Sequence, residues 1–187
     1  KKGVNIYGIY LRKKSDVIDE LTNELKSYGV KVIYKKMSAT NELKRAEVMQ
    51  ELKNIKKMNI KIFVHSLAFG TLKPMIADNN ENMLNQKNIE MTLDVMSNSL
   101  VYWTQDLFAN NLFSSGSQIF AMTSAGSHTQ WKSYGAVSMA KAALESAIRQ
   151  LALELAPYKI AANSIQAGVT DTEALRKIPG SDHMIDN

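Results

Sequence analysis

Cysteine is absent from the 187 residues, so a disulfide framework, a zinc knuckle and a thiol nucleophile are all excluded, while the redox compartment stays open. No apolar run approaches membrane-spanning length, so a membrane protein is not expected. The opening Lys1-Lys2-Gly3 leads into an apolar stretch too short and too interrupted for a signal peptide. A soluble, cytoplasmic protein is the expectation. The histidines His65, His128 and His183 stand apart and form no metal-ligand pattern, so no metal is expected. Internal repeats and low-complexity segments are lacking too.

Acidic residues are the minority: 23 Lys and Arg against 18 Asp and Glu leave a net charge of +5. The lysines lie along amphipathic stretches such as Glu42 to Lys57, interleaved with acids, which describes a solvated face rather than a nucleic-acid surface. Such a surface can still attract an acidic or phosphorylated partner. The length suits one domain, residues 1–187, with a substantial core.

Hydrophobic periodicity alternates between strand and helix. Val4 to Leu11 is rich in β-forming residues. Ser15 to Tyr28 reads as an amphipathic helix with Ser15 as its cap, Val17, Ile18, Leu21 and Leu25 at helical spacing, and Gly29 as its stop. Val30 to Tyr34 is the next strand. Asn41 to Lys57 is a second helix, with Leu43, Val48 and Leu52 expected on its buried side, and Ile60 to Val64 is a third strand. Gly70 to Asn88 holds Pro74 and the polar run from Asp78 to Asn82, and reads as a surface connection. Long helix resumes from Ile89 to Phe108, followed by a strand from Gln118 to Thr123, a long helix from Tyr134 to Leu155 and a strand from Ala161 to Gln166. The order βαβαβαβαβ predicts an α/β fold: a doubly wound parallel sheet with right-handed crossovers and helices on both faces. Ligands of such sheets bind at the carboxyl ends of the strands. The loops after Leu11, Val64, Thr123 and Gln166 are therefore the candidate binding loops.

The strongest chemical signal is Tyr134-Gly-Ala-Val-Ser-Met-Ala-Lys141, which opens the helix after the strand ending at Thr123. Seven residues turn a helix by about 700°, nearly a whole number of turns, so Tyr134 and Lys141 share a face about 10 Å apart. Helical side chains lean toward the N-terminus, so Lys141 reaches back toward Tyr134, leaving Val137, Leu144, Ile148, Leu151 and Leu155 for packing. Alone, such a pair is more often structural than catalytic. Its setting raises it, because the first turns carry Gly135, Ala136, Ser138 and Ala140, which let a neighbour or a cofactor approach, and the preceding strand delivers the hydroxyls of Thr123, Ser124 and Ser127.

The run from Ser133 to Ala174 resembles the short-chain dehydrogenase/reductase family, and its Tyr-x6-Lys spacing resembles the NADPH-dependent enoyl-acyl-carrier-protein reductase branch; the commoner Tyr-x3-Lys is absent because Ser138 stands four residues after Tyr134. The resemblance implies a Rossmann-type fold and a nicotinamide dinucleotide. It makes Tyr134 the phenol that stabilises a developing enolate, and Lys141 the cation that holds the nicotinamide ribose and polarises that phenol. Ser124 takes the place of a hydroxyl lining the substrate site, where some enoyl reductases have a second tyrosine. The alternative for Ser124 is a loop hydroxyl bonded to its own backbone. His65-Ser66-Leu67-Ala68-Phe69 resembles the family's His-Ser-x-x-Phe, in which Ser66, Leu67 and Ala68 border the cofactor. His65 itself, with no acidic or hydroxyl partner close in sequence, reads as structural. Gln166 to Thr172 resembles the loop whose residues, here Thr170 and Thr172, meet the carboxamide and phosphate, and Glu173 to Met184 would be a mobile substrate segment.

The resemblance also has gaps. A dinucleotide fold needs a strand and a glycine-rich turn where bare backbone meets the pyrophosphate, and no such turn is present. Val4 to Leu11 matches the family's second strand. The first strand, the glycine-rich turn and the last strand are missing, so the domain is expected to be incomplete at both ends. Met96 stands where the family often has a relay asparagine, and Ser38 where an acidic or amide residue usually meets adenine. At Leu11-Arg12-Lys13-Lys14, where an acid would bond the ribose of NAD, Arg12 and Lys13 instead suit the 2′-phosphate of NADPH over NADH. The implied partners are an acyl thioester on acyl carrier protein and further copies of the chain in a homotetramer built on the two long helices. Reduction of 3-oxoacyl thioesters or another carbonyl is the alternative within the family. A non-catalytic dinucleotide sensor is the alternative outside it.

Overall fold

The computed structural model describes residues 3–172 and 175–180. They fall into two compact units that divide between Val48 and Met49. In the first, β1 (Ile6–Tyr10) and β2 (Val32–Lys36) pair in parallel from Ile6↔Val32 to Tyr10↔Lys36, joined by helix α1 (Ser15–Ser27). Gly8 permits this pairing to carry an aromatic: a Cβ there would lie 2.2 Å from Tyr34 Cε1, so the ring occupies the space a side chain would need. Tyr34 also meets Tyr10 edge-on at 6.5 Å. Gly29, with φ +77°, ends α1 in the left-handed conformation and bonds back to Lys26.

Two sequence expectations fail here. The residue capping α1 is Lys14, not Ser15, which is already helical; the first turn instead binds the Asp16 carboxylate, whose Oδ1 accepts from Val17 N at 2.9 Å. Leu43 is 77% exposed rather than buried. Helix α2 (Glu42–Lys53) buries Arg45, Val48, Met49 and Leu52, a stripe at i, i+3, i+4 and i+7, and Leu43 lies off it. The Arg45 guanidinium is accommodated because it donates to Thr40 O at 2.9 Å.

In the second unit, β3 (Ile60–His65), β4 (Phe113–Thr123) and β5 (Ala161–Gln166) form a parallel sheet in that order. Phe63, Ile119 and Ala162 share one row and His65, Ala121 and Ser164 the next. Helices α4 (Ser99–Ala109) and α5 (Gly135–Leu155) cover this face through Leu100, Leu144, Ile148 and Leu151, with Ile119 and Ala121 from the sheet, making the main core. Truncating fully buried Leu144 to alanine is worth about 2–5 kcal/mol of stability. The opposite face shows Ile62, Val64 and Ile165 at 53, 52 and 40% exposure. Within each unit every strand pair is parallel, as in a Rossmann-type fold.

The expected helix from Ile89 to Phe108 begins earlier and is interrupted. Helix α3 (Gln86–Leu93) starts at a reciprocal cap between Asn85 and Asn88, and Asp94–Asn98 then winds as a π-helical turn before α4. Such insertions are frequent at functional sites. β4 starts five residues before the expected Gln118, and α2 stops at Lys53 rather than Lys57.

Candidate active site

In the second unit the carboxyl ends of β3, β4 and β5 share one edge, since His65 pairs with Ala121 and Thr123 with Gln166. That edge carries Ser66, Leu67 and Ala68 after β3, Ser124 after β4, and Thr170 and Thr172 after β5. Ser66 and Ala68 are exposed and Leu67 is half-buried.

Tyr134 caps the N-terminus of α5 and follows Ser133, a non-glycine residue with φ +60°. A left-handed serine is uncommon, and such conformations gather at functional sites. The Tyr134 ring rests on the apolar cluster of Met96, Val137 and Ala140; Met96 comes to it from the π-helical turn and, as a thioether, supplies no polar relay. Gly126, in the 3-10 turn Ala125–Ser127, is pressed between two chemistry-bearing groups: a Cβ there would lie 2.5 Å from Tyr134 Cε1 and 3.4 Å from Ser124 Oγ. The phenol ring and the serine hydroxyl therefore converge on one point. Ser124 Oγ is buried and has no hydrogen-bond partner among the described residues. A buried hydroxyl left in this state costs about 1–3 kcal/mol.

Lys141 is 6% exposed, and its Nζ donates to Met122 O at 2.5 Å, one strand residue before Thr123. Burial drives its ammonium down from the usual lysine range to about 8, against the opposing pull of the Glu145 carboxylate. Glu145 accepts from Thr123 Oγ1 at 2.6 Å; burial opposes its charge, but hydrogen bonds from Thr123 and Ser127 and the nearby His128 and Arg149 hold it below the ordinary glutamate value. His65 is 4% exposed at the end of β3. Its Nε2 meets Ser99 Oγ at 2.8 Å, and since that hydroxyl donates to Val95 O at 2.8 Å, the imidazole is the donor. Burial, and then the Lys141 charge, push His65 down to about 4. It is neutral near pH 7 and serves the structural part the sequence implied, with the hydroxyl partner that sequence proximity did not show.

The outer loops are turned on themselves. Thr170 Oγ1 donates to Gly168 O at 3.2 Å, and Thr172 Oγ1 accepts from Leu175 N at 3.2 Å. Asp171 and Arg176 form a bidentate ion pair at 2.6 Å. Of the expected substrate segment, Glu173, Ala174 and residues 181–184 lie outside the described residues. In the first unit, exposed Arg12 and Lys13 follow β1 and half-buried Ser38 follows β2, whose loops are tied by Met37 N donating to Tyr10 O at 2.8 Å. Ser38 Oγ lies 3.1 Å from Thr40 Oγ1.

Parallel strands joined by crossover helices are the architecture of a Rossmann-type fold. The family model described as enoyl-(acyl carrier protein) reductase matches residues 1–187, and the chain belongs to that family. It is 33% identical over 122 residues to the NADH-dependent enoyl-[acyl-carrier-protein] reductase FabI of Enterococcus faecalis, across 65% of this chain and 47% of that protein. It is 30% identical over 122 residues to the NADPH-dependent FabI of Staphylococcus aureus, across 65% of this chain and 46% of that protein. The chain thus spans about half the length of these curated relatives. Among solved structures, the NADH enoyl-[acyl-carrier-protein] reductase of Aquifex aeolicus superposes with a TM-score of 0.80 at 21% identity, over 97% of this chain and 68% of that one. Among the described residues, no helix is long and apolar enough to cross a membrane.

Proposed function

We propose that the protein carrying this chain reduces the carbon-carbon double bond of an enoyl thioester, presented on acyl carrier protein in fatty-acid synthesis, with NADPH as the reductant. The observation that carries this reading is the convergence at Gly126, where the Tyr134 ring and the unpartnered hydroxyl of Ser124 crowd one point. The chain's own groups suit the dinucleotide. Lys141 has three donors, one taken by Met122, and Ser124 Oγ is a buried polar atom awaiting a partner. When bound, the reduced nicotinamide supplies a hydride to the β-carbon of the acyl chain.

Lys141 holds the ribose, while Ser66, Leu67, Ala68, Thr170 and Thr172 border the dinucleotide at the carboxyl edge of the sheet and Ser38 meets the adenine. Negative charge gathers on the thioester oxygen, and the Tyr134 hydroxyl is preorganised to meet it, with Ser124 as a second donor. The Lys141 ammonium keeps positive charge beside that oxygen. Arg12 and Lys13 read the 2′-phosphate; the relatives themselves divide between NADH and NADPH. A homotetramer through α4 and α5 is supported by exposed Met139 and Leu153 on α5.

In the full-length protein, Tyr134→Phe should lower kcat on a crotonyl-type thioester by about a hundredfold or more while cofactor affinity changes little, because the hydroxyl acts in the transition state. Turnover on the enoyl thioester should exceed that on the 3-oxoacyl thioester. Undiminished turnover in Tyr134→Phe sinks the assignment, and the reverse substrate ranking transfers it to carbonyl reduction.

A further inference from the structure

The carboxylate of Glu145 has no part in the reaction above, yet it holds Thr123, the residue next to Ser124. It stands one turn after Lys141 on α5, at i+4. Thr123 Oγ1, immediately before Ser124, donates to it at 2.6 Å. The Ser127 hydroxyl, three residues past Ser124, lies near the same carboxylate. Ser127 in turn grips the Ser124 carbonyl oxygen through its backbone N and its Oγ, both at 3.1 Å, and its Oγ lies 2.9 Å from His128 Nδ1. Lys141 meanwhile pins Met122 O. Residues 122 and 123 are thus tied to one helix at two places, through Lys141 and through the Glu145 carboxylate.

We propose that Glu145 is a positioning residue, setting the Ser124 turn through Thr123 and counter-charging Lys141 from one helical turn away. This rests on the reductase reading of the site. Glu145 touches neither substrate nor cofactor; it fixes where the Ser124 hydroxyl stands relative to the Tyr134 ring and keeps the buried ammonium charged. The other titratable groups acting on this pair are His65 from β3, His128 beside the 3-10 turn and Arg149 on α5, while Asp94 of the π-helical turn is engaged by the Tyr102 hydroxyl at 3.0 Å. Without the Glu145 charge, desolvation of Lys141 is opposed by less, and the lysine loses its proton at lower pH.

The test uses the full-length protein with Glu145→Gln, which keeps an acceptor for the Thr123 hydroxyl but loses the charge, and Glu145→Ala, which loses both. Glu145→Gln should keep its KM values and its kcat at pH 6.5 within about twofold, while the alkaline limb of kcat moves to lower pH by about half a unit or more. Glu145→Ala should show the same displacement and in addition lose about tenfold in kcat at every pH, with cofactor affinity retained. An independent readout is the titration of Lys141 followed by the NMR shift of its ε-methylene, which requires no activity. Earlier deprotonation in both variants supports the proposal. An unmoved Lys141 titration in Glu145→Gln, or a Glu145→Ala enzyme that loses only thermal stability, overturns it. A wild-type protein inactive on both thioester classes refutes the reductase reading instead, and the Lys141 titration still decides the charge pairing.

Discussion

Replacing Ser124 with alanine separates a catalytic hydroxyl from a structural one, because the two make opposite predictions about stability. The Ser124 Oγ is buried without a partner among the described residues, so folding strips its water and returns nothing, a cost of about 1–3 kcal/mol. Alanine keeps the β-carbon and removes the unsatisfied atom. Against that gain stands the small void left beside Gly126 and the Tyr134 ring, which lie within a few ångströms of the hydroxyl. The net expectation is a gain of about 1 kcal/mol, which at this chain length corresponds to a Tm higher by about 2–4 °C. Turnover should move the other way, falling by about tenfold or more, since one donor to the developing negative charge is lost. Calorimetric unfolding and steady-state kinetics on the same preparation provide both numbers. Serine at this position would then be a residue held for function at the expense of stability. A Ser124→Ala protein that is less stable by 1 kcal/mol or more and equally active refutes the argument, because the hydroxyl would have been serving the fold.

Gly126→Ala should cut kcat by about tenfold or more, since its Cβ would stand 2.5 Å from Tyr134 Cε1 and must push the ring aside; unchanged kcat would mean that the ring's present place is immaterial. His65, lowered to about 4 by burial and the Lys141 charge, leaves the native state binding fewer protons than the unfolded chain between pH 6.5 and 4. Stability therefore falls as pH drops through that window, and denaturant unfolding of His65→Gln should show a flatter slope there; identical slopes would remove His65 from the account. Arg12→Ala with Lys13→Ala should lower kcat/KM for NADPH while leaving NADH nearly unchanged, and an unaffected NADPH preference would show that this loop does not read the phosphate.

Local patterns made the elements legible and left their edges open. Each of the five strands lies where alternation or a short apolar run placed one, but β4 starts at Phe113 because Ser117 Oγ bonds Ile60 O at 2.7 Å, which extends the pairing across a β-bulge that no spacing signals. The π-helical turn at Asp94–Asn98 likewise has no local signature. Met96 and Ser97 of this turn are buried, so a longer helical repeat is selected by what the turn packs against. Leu43 shows the limit of counting apolar residues: the stripe through Arg45, Val48, Met49 and Leu52 is complete without it, and an arginine satisfied by a backbone carbonyl takes a buried place that hydrophobicity assigns to leucine.

The same distinction separates the parts of the site. Tyr134 and Lys141 could be paired on paper because a helix converts a spacing of seven into a shared face, whatever the rest of the chain does. Ser99, 34 residues from His65, and Glu145, 22 residues from Thr123, could not, because their pairings depend on which strand lies under which helix. The spacing of Glu145 from Lys141 was a usable signal, four residues on the same helix, but helical acid-base neighbours are common enough that spacing alone does not single one out. Ser124 is where the local and tertiary accounts meet. In sequence it stood equally well as a substrate hydroxyl or as a loop hydroxyl bonded to its own backbone. In the fold its carbonyl is taken by Ser127 and its Oγ bonds nothing among the described residues. The local alternative therefore lacks its hydrogen bond among the described residues, which is why Ser124→Ala is the substitution that separates the two readings.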